Sequence, residues 1–333
     1  MHLLVTGGAG FIGSNFTSMA LRKGERVTVL DALTYASGKE FIDAETKSFP
    51  GRCNLVEGSI LDRDVVFDLA KEADAIVHFA AESHNDNSLR DPMLFVRTNV
   101  EGTANLLEAA REWGVRFHHV STDEVYGDLP LGTPEKFSET SPYRPSSPYS
   151  ASKASADHLV RAWSRSLGVQ ATISNCSNNF GPRQHVEKLI PRTITERLQG
   201  RRPRVYGTGR NVRDWIHVDD HNDALWQVLT RGRIGETYLI GASQEYSNLE
   251  VVRAINSLMG YEEEDFDLVA DRPGHDLRYA IDWTKLKDEL GWQPSRTDFR
   301  EDLAATIDWY KENRAWWEPK KAATEARLSK WGL

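Results

Sequence analysis

Cysteine is nearly absent from this chain: Cys53 and Cys176 are the only two among 333 residues. They share no motif spacing, which excludes a disulfide framework and a cysteine-based zinc cluster and fits a reducing compartment. Long apolar runs are missing as well. No stretch approaches the ~18 apolar residues of a membrane span. The chain enters the apolar run Leu3-Leu4-Val5-Thr6 with no basic segment, long apolar core or cleavage site before it. The expectation is a cytoplasmic protein with no membrane partner. Basic charge is also in deficit, since 41 Lys and Arg against 49 Asp and Glu leave a net charge of −8. A nucleic-acid partner calls for a basic excess on some face, so none is expected, although one small anionic substrate stays open. What remains is ordinary, with 40% hydrophobic and 27% charged residues, the composition of a globular chain. At ~150 residues per domain this length suggests about two units.

In the first 175 residues, apolar runs at 2–6, 26–30, 54–57, 75–79, 117–121 and 171–175 alternate with helix-length segments at 12–22, 65–71, 93–113 and 147–167. Parallel strands need crossover connections, so this alternation predicts a parallel sheet with helices on both faces. From about residue 176 the pattern changes. Short strand-like pieces at 204–206 and 237–240 alternate with helices at 189–199, 219–230, 248–258 and 300–312, with dense Gly and Pro punctuation. The expected fold class is α/β: a Rossmann-type doubly wound parallel sheet over residues 1–176 and a smaller C-terminal α/β substrate-binding lobe over 177–333. Some segments of that lobe return to the first unit.

The first strand runs into Gly7-Gly8-Ala9-Gly10-Phe11-Ile12-Gly13. One glycine makes the turn, one lets backbone N–H groups approach a diphosphate, and one lets helix pack on strand. The helix that follows points its positive end at the anion. A tight turn alone would also tolerate these glycines, but here a second strand follows and ends in Asp31. An acid about 20 residues on accepts hydrogen bonds from the adenosine ribose. The cofactor expected is a nicotinamide dinucleotide, and Asp31 favours NAD because a carboxylate repels a 2′-phosphate. Asp31 capping a turn is the other reading.

Tyr149 and Lys153 stand four apart in a helix-length segment, hence on one helical face. A phenol has an ordinary pKa of about 10. A neighbouring ammonium stabilises its phenolate and makes it a base for a sugar hydroxyl. The pair recurs by chance on solvated faces, but here Thr122 at a strand end can bond the same hydroxyl. With the glycine turn, this set resembles the extended short-chain dehydrogenase/reductase family that works on nucleotide sugars, over nearly the whole chain.

Asp123 and Glu124 follow directly on the strand 117–121. Successive strand residues face opposite ways, so both acids reach one site only if the strand ends near Ser121 or Thr122 and the chain turns. A solvated loop is the plain alternative. Two carboxyls in unlike surroundings divide acid and base work, as elimination of water requires and epimerisation does not. The block from Ser121 to Gly127 resembles the signature of the dTDP-glucose 4,6-dehydratase family. So do Ala80-Ala81-Glu82-Ser83-His84, the run from Asn175 to Pro182, Glu187-Lys188-Leu189-Ile190-Pro191, Arg213-Asp214-Trp215, and Arg272-Pro273-Gly274-His275-Asp276.

That resemblance implies dehydration of a dTDP-hexose by an internal redox cycle. Catalysis would fall to Thr122, Asp123, Glu124, Tyr149 and Lys153. NAD would be lined by Gly7, Gly10, Phe11, Ile12, Gly13, Asp31, Ala32, Leu33, Thr34, Ser59, Ile60, Phe79, Ala80, Ala81, Ser83, Thr98 and Asn179, together with Tyr149 and Lys153. The sugar nucleotide would be held by Ser83, Thr122, Asn178, Lys188, Leu189, Tyr206, Arg213, Arg272 and His275. A homodimer through the helices 93–113 and 147–167 is implied too. The chain departs from the family pattern at Asn87, where Arg is common, at Ser59 for a cofactor-contacting Asp, and at Gln244 for a substrate-binding Asn. A 4-epimerase on the same scaffold and a catalytically silent NAD sensor are the competing functions. The cluster His217-Val218-Asp219-Asp220-His221 is expected to start a helix capped by Asp219 or Asp220, with no metal. The run Arg201-Arg202-Pro203-Arg204 is expected to be a solvated turn.

Overall fold

The computed structural model describes residues 1–271 and 273–329, so the expectation for Arg272 lies outside the described residues. The first half alternates as its apolar periodicity requires. Strands are β1 (His2–Thr6), β2 (Arg26–Asp31), β3 (Cys53–Glu57), β4 (Ala75–His78), β5 (Arg116–Thr122) and β6 (Ala171–Cys176). Helices between them are α1 (Phe11–Arg22), α2 (Lys39–Ser48), α3 (Arg63–Lys71), α4 (Asn85–Arg90), α5 (Pro92–Phe95), α6 (Gly102–Trp113) and α7 (Pro148–Leu167). The remainder carries β7 (Asn178–Phe180), α8 (Leu189–Leu198), β8 (Arg204–Tyr206), β9 (Val212–His217), α9 (Val218–Arg231), β10 (Thr237–Ile240), β11 (Glu245–Ser247), α10 (Asn248–Leu258), β12 (Asp267–Val269), α11 (Thr284–Leu290), α12 (Phe299–Glu312) and α13 (Arg314–Ser329).

Seven parallel strands lie in the order β10-β6-β5-β4-β1-β2-β3. The period-2 alternation of β1 sends Leu3 and Val5 into one core and Leu4 into the other. Both faces are therefore covered, as a parallel sheet demands. The chain leaves β1 toward β2 on one side and reaches β4 on the other, so the strand order reverses between β1 and β4. Ligands in such sheets bind outside the carboxyl ends of the strands at that reversal. β10 and α9 come from the second half yet belong to this layer, β10 beside β6 and α9 against α1. A three-stranded sheet, β11-β9-β7, and the pair β12-β8 form the other part. Its core of Phe180, Ile194, Trp215, Ile255, Leu303 and Trp317 is separate.

Two expectations change. The helix foreseen over 93–113 is interrupted by a π-helical turn, Val96–Glu101, between α5 and α6. There the buried Asn99 bonds Ser152 Oγ at 2.8 Å and the Glu82 backbone at both its ends. At the start of α9, neither Asp219 nor Asp220 is the cap. His217 takes that position and accepts from the Asp219 N–H through Nδ1. Asp220 is instead drawn to Ser295 and Arg296. Among the described residues, no helix is long and apolar enough to cross a membrane.

Candidate active site

The turn after β1 is shaped by what a side chain would strike. Gly7 sits at φ +69°, and a Cβ there would lie 2.6 Å from the Ala80 nitrogen. On Gly13 a Cβ would overlap the Gly7 carbonyl oxygen. α1 then starts at Phe11 with no side-chain cap and no acid in its first turn. Its orphan N–H groups and positive dipole end are thus left for an external anion. Asp31, at the end of β2, accepts from Ala9 N–H at 2.9 Å and from Leu33 N–H and Ser37 Oγ at 2.8 Å each. Three donors hold the carboxylate in one orientation. It is therefore both a turn-forming group and a wall of the cavity above.

That cavity, about 500 Å³, runs along the carboxyl ends of β1, β2, β4, β5 and β6. Its wall includes all five expected catalytic residues: Thr122, Asp123, Glu124, Tyr149 and Lys153. Of the expected cofactor residues it holds Gly7, Gly10, Phe11, Ile12, Gly13, Asp31, Ala32, Thr34, Ser59, Ile60, Phe79, Ala80, Ala81, Ser83, Thr98 and Asn179. Leu33 is not in the wall. Its backbone turns to φ +50° and its side chain packs against the core. Among expected substrate contacts, Ser83, Asn178 and Lys188 line the cavity, Lys188 reaching the Ser83 carbonyl at 2.9 Å. Leu189, Tyr206, Arg213 and His275 stand outside it. Arg213 is buried with donors on the carbonyls of Val212 and Asp276, and its guanidinium lies 4.2 Å over the Tyr279 ring. A second, more open cavity of about 690 Å³ beside residues 139–143 contains none of the expected residues.

β5 ends at Thr122 and a single 3-10 turn, Asp123–Tyr126, follows. Thr122 Oγ1 accepts the Glu124 N–H at 3.2 Å and donates to Asp123 Oδ1 at 3.3 Å. This cap bends the chain, so consecutive acids reach one cavity, which an extended strand would forbid. Their surroundings differ. Asp123 is buried, and one of its oxygens has no hydrogen-bond partner. Burial raises its pKa well above the usual carboxylate range, with Glu124 and Asp214 adding to the rise. Glu124 is half-buried and aimed by Asn85, whose Nδ2 donates to Oε2 at 2.8 Å. Asn85 in turn accepts from Ser147 Oγ at 2.8 Å.

Ser147 also caps α7 in a reciprocal box with Ser150, and Pro148 fits the first helical turn. The buried face of α7 carries Tyr149, Lys153 and Asp157 at spacing four. Burial pushes the Tyr149 phenol well above its usual value and the Glu124 charge adds to this, while the Thr122 hydroxyl pulls it down. Lys153 is lowered to about 8 by burial and directs its ammonium to the Val120 carbonyl at 2.9 Å. Asn85, which stands where Val is common in the family, Ser147 and Asn99 carry no expected site role in the sequence. Each acts through a partner more than fifteen residues away, and local spacing carries no trace of that. The three departures have definite places: Ser59 lines the cavity, Asn87 donates to the Tyr35 hydroxyl at 3.0 Å, and Gln244 bonds Asp214 and Arg296.

A sequence model of the GDP-mannose 4,6 dehydratase family matches residues 4–306. The chain is 60% identical over 334 residues to the dTDP-glucose 4,6-dehydratase of Mycolicibacterium smegmatis, covering 100% of both chains. It is likewise 60% identical over 335 residues to that of Mycobacterium tuberculosis, again with full coverage. The crystal structure of a dTDP-glucose 4,6-dehydratase from Streptomyces venezuelae with NAD bound superposes with a TM-score of 0.92 at 46% identity, over 96% of this chain and 100% of that one. This chain belongs to the GDP-mannose 4,6 dehydratase family and, within it, to the group of the dTDP-glucose 4,6-dehydratases.

Proposed function

We propose that this protein converts dTDP-glucose to its 4-keto-6-deoxy derivative and water, with NAD as a cofactor that ends each cycle unchanged. The observation that carries the reading is the meeting of Asp123 and Glu124 with Tyr149 and Lys153 in one cavity. An epimerase would use only the second pair. NAD fits the residues present, because the collision-limited glycines and the uncapped start of α1 make room for a diphosphate. Asp31 lies where an adenosine ribose would follow. When bound, NAD supplies a two-electron acceptor at sugar C4 and the matching donor at C6.

Tyr149 takes the C4 hydroxyl proton as its phenolate, a form that the Lys153 charge and, when bound, the oxidised nicotinamide would favour against burial, with Thr122 bonded to the same oxygen. The ketone left at C4 acidifies C5, and Glu124 removes the C5 proton. Asp123, whose pKa burial raises well above the usual carboxylate range, gives its proton to the C6 hydroxyl, which departs as water. Glu124 then returns a proton to C5. Ser83, Asn178 and Lys188 hold the sugar nucleotide from the cavity wall. The working form is a homodimer through α5, α6 and α7, a reading supported by exposed Leu89, Met93, Leu94 and Val96 at that end of the molecule. A cytoplasmic setting suits the two buried free thiols.

Incubation with NAD and dTDP-glucose in deuterated water, followed by NMR of the sugar, tests the reaction. Deuterium at C5 beside a new C6 methyl group is expected. A C4 epimer that keeps its C6 hydroxyl would refute it.

A further inference from the structure

Asp157 has no task in the chemistry above, yet it is fully buried on α7, one turn beyond Lys153. A carboxylate removed from water persists only when paired and hydrogen-bonded. Tyr143 donates to its Oδ2 at 2.7 Å and Asn175 Nδ2 at 3.0 Å. Its other oxygen makes no hydrogen bond and lies 3.3 Å from His119 Nε2, the nitrogen that accepts from the Lys153 ammonium at 3.4 Å. One imidazole nitrogen on β5 thus stands between a buried cation and a buried anion, both on α7.

The neighbouring groups leave this pair electrically exposed to each other. His78 on β4 is held neutral by burial, and His119 is lowered to about 4. Cys176 on β6 is raised to about 12, and the phenols of Tyr126, Tyr143 and Tyr149 are all raised by burial. Arg161 is a second cation that Asp157 stabilises, with its guanidinium bonded to the Tyr143 hydroxyl at 2.7 Å. Burial depresses Lys153, and Asp157 is the foremost charge opposing that depression.

We propose that Asp157 is a positioning residue whose charge, acting across the neutral His119 ring, keeps the Lys153 side chain charged and fixed in the cavity wall through neutral pH. The proposal rests on the reading of Lys153 as part of the reaction. Without the carboxylate, the ammonium loses its proton at lower pH, so activity that needs the charge fails earlier as pH rises.

In Asp157→Asn the alkaline limb of the kcat profile is expected to move down by about one pH unit or more, the effect of losing an opposite charge at this range. The Lys153 side-chain resonance of 15N-labelled protein, identified by its loss in Lys153→Met, is expected to titrate lower by the same amount. His119→Leu, which removes the acceptor of the Lys153 ammonium but not the carboxylate, is expected to shift both readings in the same direction. His119→Gln, which restores an acceptor for the ammonium, is expected to recover them. Should Asp157→Asn fail to fold, the two His119 variants decide. Equal loss of activity at every pH, with Lys153 titrating as in the parent, would overturn the proposal. The titration needs no substrate, so failure to turn over dTDP-glucose would refute the reaction and still leave Asp157 tested.

Discussion

Asp123 and Glu124 are adjacent in the chain, and burial with one orphaned oxygen separates the first from the second, which is half-buried and held by Asn85. Glu124→Gln is expected to allow oxidation at C4 but block loss of water. The reduced cofactor should then accumulate by absorbance while product formation falls roughly 10²- to 10⁴-fold. Undiminished product would remove Glu124 from the mechanism. Asp123 also leaves a mark on stability. Its folded pKa lies above the ordinary value of about 4. Between those two values the unfolded chain releases the proton and the folded chain keeps it, so the native state loses stability as pH rises. Asp123→Asn removes that loss. Its melting temperature should match the parent's below about pH 4 and exceed it increasingly above. A gap that widens on acidification instead would mean that Asp123 is ionised in the fold.

At the scale of elements, the glycine turn and the α7 cap make separable contributions. Gly13→Ala drives a methyl group into the Gly7 carbonyl, so α1 must move off the turn. Overpacking of this kind costs about 1–3 kcal/mol. Weaker NAD binding in a fluorescence titration is expected even where the protein still folds. Ser147→Ala removes one half of the capping box and is expected to cost about 1 kcal/mol in urea unfolding. It also frees Asn85, and with it the aim of Glu124. Activity should therefore fall further than a helix cap alone explains, and a loss in stability with full activity would separate the two roles.

Across the whole molecule, α13 joins regions far apart in the chain. Lys321 makes a buried ion pair with Glu196 of α8 at 2.7 Å. One residue earlier, Lys320 donates to the Ser37 carbonyl at 2.7 Å, and Ser37 holds Asp31. Trp316 packs 5.3 Å from Phe41, just past the same loop. The loop that holds Asp31 is thus tied through α13 to α8. Lys320→Ala is expected to raise the rate of NAD release several-fold, read as a smaller fraction of copurified cofactor. Unchanged retention would show that α13 only covers surface.

Much of this was legible locally. The glycine turn, the strand-helix alternation and the Tyr149–Lys153 spacing follow from backbone periodicity and from small residues where only small ones fit. The five catalytic candidates could be named because their chemistry lies in short contiguous runs. Other features had no local signature. The π-helical break at Asn99 exists because its amide finds Ser152 and Glu82. The cap of α9 is His217 because Asp220 is claimed by Ser295. Arg213 had the right chemistry for a diphosphate, and its donors end on carbonyls brought in by a distant segment. The sequence by itself determined the fold class, the glycine turn and which acid, phenol, amine and hydroxyl side chains stand in short runs, since these depend on residues within a few positions of one another. Only the tertiary structure decided which acid is buried and has its pKa raised, what aims Glu124 and what faces Lys153. Burial and long-range hydrogen bonds set those properties, and neither exists until the chain has folded.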